Sequence, residues 1–265
     1  MALDIPDIGI GTWQNTDPEE CASSVEAALD VGYRHVDTAQ IYENEEYVGE
    51  GLARSDVDRD EIFLATKVWT DRLSHDDVLA STEESLEKLG TDHVDLLYVH
   101  WPARDYDAEE TLAAFAELRD EGLIRNVGVS NFTPSQLDEA IEACPAPVAA
   151  NQVEMHPYLP QDEVRRAADG HDVAVVAYSP LARARVMDDE AILEVAETHG
   201  ASPAQVALAW SIAKGAKPIP KASSREHVED NYGALELELS DDDVARIDGI
   251  EHHERLIDPE FAPDW

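Results

Sequence analysis

The chain has 265 residues, 58 of them acidic against 19 basic, for a formal net charge of -39 at pH 7. That charge argues against nucleic acid and anionic membrane as partners. No run of about 18 apolar residues offers a membrane span.

The acids are spread along the chain rather than gathered in a tail, so they coat the whole fold and repel one another until salt screens them. The composition resembles that of proteins from salt-accumulating halophiles. The start, Met1-Ala2-Leu3-Asp4, lacks the basic segment and apolar core of a signal peptide, so the expected location is the cytoplasm. Cys21 and Cys144 fall in predicted helices without ligand spacing and read as small hydrophobes.

Ile8-Gly9-Ile10-Gly11-Thr12 predicts a first strand. Asp17 then caps a helix with Pro18 at its first position, Glu20 completing a capping box, and a stripe of Cys21, Val25, Ala28 and Leu29 that stops at Gly32. A second apolar run ends in Asp37, and a helix follows over residues 44–53. Residues 62–66 lead to Lys67. The next helix, capped by Ser74 and Asp77, carries Val78, Thr82, Leu86 and Leu89 on one face up to Gly90.

The fourth strand, Val94–Val99, leads to His100, and a helix around Leu112, Phe115 and Ala116 ends near Gly122. Residues 124–129 end in Ser130-Asn131, and Thr133-Pro134-x-Gln136 opens a helix facing Leu137, Ala140 and Ile141 inward. Strands over 148–153 and 173–177 carry Asn151-Gln152 and end in Tyr178-Ser179. Ser202-Pro203-x-Gln205 repeats the helix opening before Val206, Ala209, Trp210 and Ala213. The eighth strand is the shortest, Pro218-Ile219, ahead of Lys221.

Eight strand-then-helix units about 30 residues apart predict a single-domain (β/α)8 TIM barrel over residues 1–265, with two crossovers longer than one helix. A doubly wound sheet would want GxGxxG after the first strand, and Gly9-x-Gly11 stops short. The tail, about 251–265, reads as a loop near the barrel mouth.

Asp37, Lys67 and His100 are each the first polar side chain after one of three consecutive apolar segments, and Tyr42 lies in the loop after Asp37. Parallel strand ends place such groups on one rim. A tyrosine near its unperturbed pKa of about 10 is a poor acid unless a cation steadies the phenolate. Lys67 supplies the cation and Asp37 holds it, giving a phenol expected to release its proton near pH 7. Tyr42 as proton donor beside His100, which orients a carbonyl oxygen, suits carbonyl reduction. The hydride has to come from a cofactor.

The signature Arg34-His35-x-Asp37-Thr38-Ala39-x-x-Tyr42-x-Asn44-Glu45, with Lys67 and His100-Trp101-Pro102, resembles the aldo-keto reductases over nearly the whole chain. The short bacterial type, similar to 2,5-diketo-gluconate reductases, is the nearest in overall likeness. The resemblance implies a nicotinamide cofactor, usually NADPH, and reversible reduction of aldehydes or ketones. It assigns cofactor contacts to Thr12, Ser130, Asn131, Gln152, Tyr178, Ser179 and Leu181: a carboxamide on Ser130, Asn131 and Gln152, a ring on Tyr178, and a pyrophosphate along Ser179 and Leu181. For Gln152 the alternative is a barrel-interior group bonded to its neighbours.

Lys214, Lys217, Lys221 and Arg225 crowd into a dozen residues of a chain with only five lysines. With Ser223, Ser224, His227 and Asn231 they read as an anion site at a helix start, the grip on an adenosine 2'-phosphate. His227 stands where the family commonly has an arginine, so NADH use stays open beside NADPH. Trp13, Trp69 and Trp101, with Trp265, read as pocket walls for a small, partly apolar carbonyl compound. His252-His253 between Glu251 and Glu254 reads as a solvated loop, and no metal is expected. The expected protein is a monomeric reductase. The other readings are a nucleotide-binding regulatory barrel without turnover and a metal-dependent hydrolase, for which the first strand offers no His-x-His.

Overall fold

In the computed structural model, residues 3–265 are described; the beginning of the Met1-Ala2-Leu3-Asp4 segment lies outside them. The apolar runs become eight strands, β1 (Ile10–Gly11), β2 (His35–Asp37), β3 (Phe63–Val68), β4 (Val94–Val99), β5 (Ile124–Ser130), β6 (Val148–Glu154), β7 (Ala174–Tyr178) and β8 (Ala216–Pro218). All neighbours pair in parallel and in sequence order. The ring closes at a seam where Gly9 N–H donates to the Pro218 carbonyl (2.9 Å) and Gly11 N–H to that of Pro220 (3.1 Å). Side chains are excluded there, since a Cβ on Gly11 would sit 2.7 Å from the Ile219 carbonyl oxygen.

Among the described residues, ten α-helices cover the outside: α1 (Pro18–Val31), α2 (Glu45–Arg54), α3 (His75–Leu89), α4 (Ala108–Asp120), α5 (Pro134–Ala143), α6 (Asp162–Gly170), α7 (Glu190–His199), α8 (Pro203–Ala213), α9 (Arg225–Tyr232) and α10 (Asp241–Asp248). Of the two long crossovers expected, that from β7 to β8 carries two α-helices. The β2 to β3 crossover adds a short 3-10 turn at Gln40–Tyr42. Thr133 and Ser202 make full capping boxes with Gln136 and Gln205. The box expected at α1 is only half formed. Asp17 accepts from Glu20 N–H, whereas the Glu20 carboxylate faces Lys221 instead of reaching back.

Strands buried on both faces leave two cores. One, between sheet and helices, takes Val25, Leu29, Leu64, Leu97, Phe115 and Trp210 among many. The other fills the barrel with Ile5, Ala65, Leu96, Tyr98, Ala150, Val176 and Ile219, so the interior is packed and polar chemistry is displaced to its upper end.

Candidate active site

β2, β3 and β4 end side by side, with Asp37 paired to Ala65 and Lys67 to Tyr98. Lys67 emerges under the rim with its side chain fully buried, Nζ donating to Asp37 Oδ1 (2.5 Å) and to the Thr38 carbonyl (2.7 Å). Gln152 Nε2 donates to the other carboxylate oxygen at 2.7 Å. Asp37 thus has both oxygens held from opposite sides of the barrel. Burial pushes its carboxyl up and the Lys67 amine down, and each charge restrains the other's shift.

Tyr42 is carried by the turn after β2, which the buried Asn44 ties down. Asn44 Nδ2 donates to the Thr12 carbonyl (2.8 Å) and the Asn15 carbonyl (3.1 Å), and its Oδ1 accepts from Thr38 (3.0 Å). Lys67 Nζ lies 5.1 Å from the Tyr42 ring centre, and His100 meets the same ring edge-on at 5.8 Å. The four groups predicted to converge do so.

The electrostatics differ from the sequence expectation in one respect. Burial, and secondarily the Asp37 carboxylate, push the Tyr42 phenol well above the ordinary tyrosine range. Lys67 is paired with Asp37, and its charge does not outweigh burial to bring the phenol down toward pH 7 as expected. Tyr42 is held protonated. Burial and Lys67 push His100 well below the usual histidine range, so its ring is neutral. Its Nδ1 is buried without a partner, leaving Nε2 as the nitrogen that reaches the cleft.

Above this floor opens a cleft of about 650 Å³. Trp13, Trp69 and Trp101 line it, and Leu256, Ile257, Asp258, Pro259 and Phe261 of the tail complete the wall. Phe261 meets Trp69 and Trp101 edge-on at 5.9 and 5.7 Å. Trp265, 44% exposed, packs on Trp101 from outside.

Of the residues expected to touch a cofactor, Thr12, Ser130, Asn131, Gln152, Tyr178, Ser179 and Lys221 line the same cleft. The Tyr178 hydroxyl donates to Asn131 Oδ1 (2.8 Å), and Asn131 Nδ2 donates to the His100 carbonyl (3.0 Å). These bonds fix a partly buried aromatic face beside the floor. Such a platform, continuous with the Lys221 ammonium, fits a nicotinamide nucleotide. Gln152, bonded to Asp37, both lines the cleft and holds the acid.

Ser223, Ser224, Arg225 and His227 lie exposed at the start of α9, with Ser224 accepting from His227 N–H, while Leu181 and Asn231 sit outside the cleft lining. The four-fold basic cluster does not assemble. Lys214 pairs with Asp248 (2.7 Å) and Lys217 with Asp7 (2.5 Å), both before or within β8 at the opposite end of the barrel from Lys221. Arg225 pairs with Glu229 (2.8 Å). His252 pairs with Glu254 (3.0 Å), and no cluster of metal-ligand type occurs among the described residues.

Sequence reasoning missed Glu154. Fully buried at the end of β6, it accepts from His156 Nε2 (2.9 Å) and from the backbone N–H groups of Leu256 (2.8 Å) and Ile257 (3.0 Å). The available signal was an acid ending an apolar strand, the same signal that singled out Asp37.

The Aldo/keto reductase family model matches residues 7–252. The chain is 42% identical over 265 residues to methylglyoxal reductase DkgB of Escherichia coli O157:H7, covering 98% of this chain and 99% of that protein. It is 38% identical over 254 residues to glyoxal reductase of Bacillus subtilis, covering 96% and 92%. The solved Bombyx mori aldo-keto reductase in complex with NADP superposes with a TM-score of 0.91 at 31% identity, covering 96% of this chain and 92% of that one. No helix among the described residues is long and apolar enough to cross a membrane. With the tetrad and its cleft, these matches place the chain in the aldo/keto reductase family, as an NADPH-dependent oxidoreductase acting on small carbonyl compounds.

Proposed function

We propose that the protein reduces small 2-oxoaldehydes of the methylglyoxal and glyoxal kind to hydroxy compounds, with Tyr42 as general acid. The observation that carries this is the tetrad at the floor of an aromatic-walled cleft that runs on to Lys221. The relatives named methylglyoxal and glyoxal reductase support the substrate class. So does charge: a net of -39, with Glu43 and Asp258 in the cleft wall beside Arg183, disfavours highly anionic carbonyls.

When bound, the nicotinamide supplies the hydride. The protein's part is proton placement. His100, neutral, donates an Nε2 hydrogen bond to the carbonyl oxygen and fixes its direction. As charge builds on that oxygen, the Tyr42 hydroxyl gives it a proton. Lys67 beneath the ring steadies the phenolate left behind, and Asp37 with Gln152 keeps the ammonium in place. Trp69, Trp101 and Phe261 exclude water from the reacting atoms. Lys221 supplies a point charge for the nucleotide's 2'-phosphate, and a cytoplasmic monomer is the assembly consistent with the acidic coat.

NADPH oxidation followed with methylglyoxal, glyoxal and a panel of neutral and carboxylated carbonyls in molar KCl tests this. Turnover favouring the neutral 2-oxoaldehydes is expected. Tight NADPH binding with no reduction anywhere on the panel overturns it in favour of a regulatory barrel.

A further inference from the structure

We infer that Glu154 is a positioning residue for the substrate wall, holding the C-terminal tail across the cleft mouth through two backbone N–H groups. The inference rests on the reductase reading only for what the wall serves. Glu154 itself does not line the cleft, so it acts through what it holds.

A carboxylate with no solvent exposure persists only if donors replace its water. Glu154 has three: His156, two residues along, and Leu256 and Ile257, 102 and 103 residues along. No lysine or arginine lies within ion-pair distance of it among the described residues; the backbone donors and His156 carry the contact compensation, with the Arg255 guanidinium of the tail attracting it from farther off. Charge-assisted bonds of this kind are about twice as strong as neutral ones. Were the tail to leave, the carboxylate would lose both backbone donors and keep one imidazole. Other contacts join tail and barrel, among them Glu254 N–H to the Tyr158 carbonyl (3.0 Å) and Phe261 on Trp69, but Glu154 is the buried side chain that takes two consecutive backbone N–H groups of the tail.

The coupling reaches the chemistry by contact. Immediately after the held residues, Asp258 and Pro259 turn along the cleft and Phe261 wedges between Trp69 and Trp101. Trp69 in turn meets the His100 ring edge-on at 5.0 Å. Just before them, the Arg255 guanidinium lies 3.6 Å from the Trp265 ring centre, closing the tail on itself. Glu154 thus sets the position of the tail, the tail seats Phe261, and Phe261 sets the width of the end of the cleft where a carbonyl substrate sits.

Glu154→Gln keeps the shape but removes the charge and turns one acceptor into a donor facing an N–H. Trypsin reads the tail without reference to turnover, because Arg255-Leu256 is a cleavable bond whose Leu256 N–H is the held group. In the native protein this bond is cut slowly, and in Glu154→Gln it is cut about tenfold faster or more as the tail opens. In the same variant the KM for methylglyoxal rises about tenfold, with kcat and NADPH affinity changed by less than about threefold.

If Glu154→Gln fails to fold, Ile257→Pro removes one donor from the tail side, leaves Arg255-Leu256 cleavable and the barrel untouched, and the same pair of effects is expected. Unchanged cleavage overturns the inference, as does faster cleavage without a change in KM, or a KM change with the tail still protected. A native chain that reduces no carbonyl strikes the proposed function, while the cleavage comparison still tests the hold on the tail.

Discussion

Lys67 Nζ sits 2.5 Å from Asp37 Oδ1 in an ion pair from which water is excluded on both sides, with the Tyr42 ring stacked 5.1 Å from the ammonium. Removing one member of such a pair leaves an unpaired buried charge, at a cost of about 3–5 kcal/mol. Lys67→Met is therefore expected to lower stability by about that amount, measured by denaturant unfolding, and to abolish turnover. Asp37→Asn, which keeps a group for Gln152 and Lys67 to meet, is expected to unfold less easily than Lys67→Met.

Tyr42→Phe removes the donated proton and little else, because the ring stays packed against His100. General acid catalysis is worth about 10²–10⁴-fold. The variant is expected to lose that factor in kcat while NADPH binding, followed by the nicotinamide's fluorescence, is retained. Because burial holds Tyr42 protonated and His100 neutral, neither group titrates between about pH 6 and 8, and kcat is expected to be flat there. A phenol poised near neutrality would instead give a rate that falls as pH rises through 7.

Stability has its own pH signature, carried by a histidine outside the site. Burial, then Lys67 and Lys217, push His35 down to about 3. A group whose pKa falls on folding binds fewer protons in the native than in the unfolded state, so stability rises with pH up to about 6.5 and is lost below it. Between pH 7.5 and 5 that loss is about 2 kcal/mol for His35, and His100 adds to it in the same direction. Asp37 and Glu45, whose carboxyls burial pushes up, work in the opposite sense. The contrast is therefore measured as the pH slope of the unfolding midpoint in the native chain against His35→Gln, which is expected to have the shallower slope.

Among the described residues Lys221 has one acidic neighbour at ion-pair distance, Glu20 at 3.7 Å, and its side chain is 38% exposed. Lys221→Met is expected to weaken NADPH binding by about tenfold and NADH binding hardly at all, as suits loss of one phosphate contact. Glu20→Gln frees the ammonium from a competing carboxylate and is expected to tighten NADPH. Titration of both variants with both nucleotides checks the pair of signs.

The acidic coat predicts a salt requirement. Exposed ion pairs such as Arg54 with Glu19 return little each, so they do not offset a net of -39. Raising KCl from 0.1 to 1 M shortens the screening length from about 10 to about 3 Å. Relief of a few kcal/mol of self-repulsion in a chain of this size is expected to raise the unfolding midpoint by about 10 °C, measured by thermal scans across that range.

The barrel and the tetrad were legible because both leave one-dimensional traces. Asp37, Lys67 and His100 each break an apolar run, and parallel pairing in sequence order turns equal positions along successive strands into neighbours in space. β8 was legible only from its place in the series, since three residues give no periodicity. The basic cluster was misread because closeness in sequence ignores the barrel axis. Lys214 and Lys217 precede or occupy a strand that Lys221 follows, and a rise of about 3.3 Å per residue separates the two ends. Glu154 and its tail could not be paired from sequence, because backbone N–H groups carry no residue identity. The charge state of Tyr42 depended on burial, which spacing does not report.

The seam between β1 and β8 joins the first strand made to the last. During synthesis, β1 through β7 can pair as an open curl, with the edge of β1 uncovered until residues 216–221 follow. The residues expected to grip the nucleotide straddle that same line, Thr12 on one side and Lys221 on the other, joined by the bridge from Gly11 to Lys221. A nucleotide bound there spans the last joint to form. Whatever opens that seam therefore also splits the nucleotide's expected site in two.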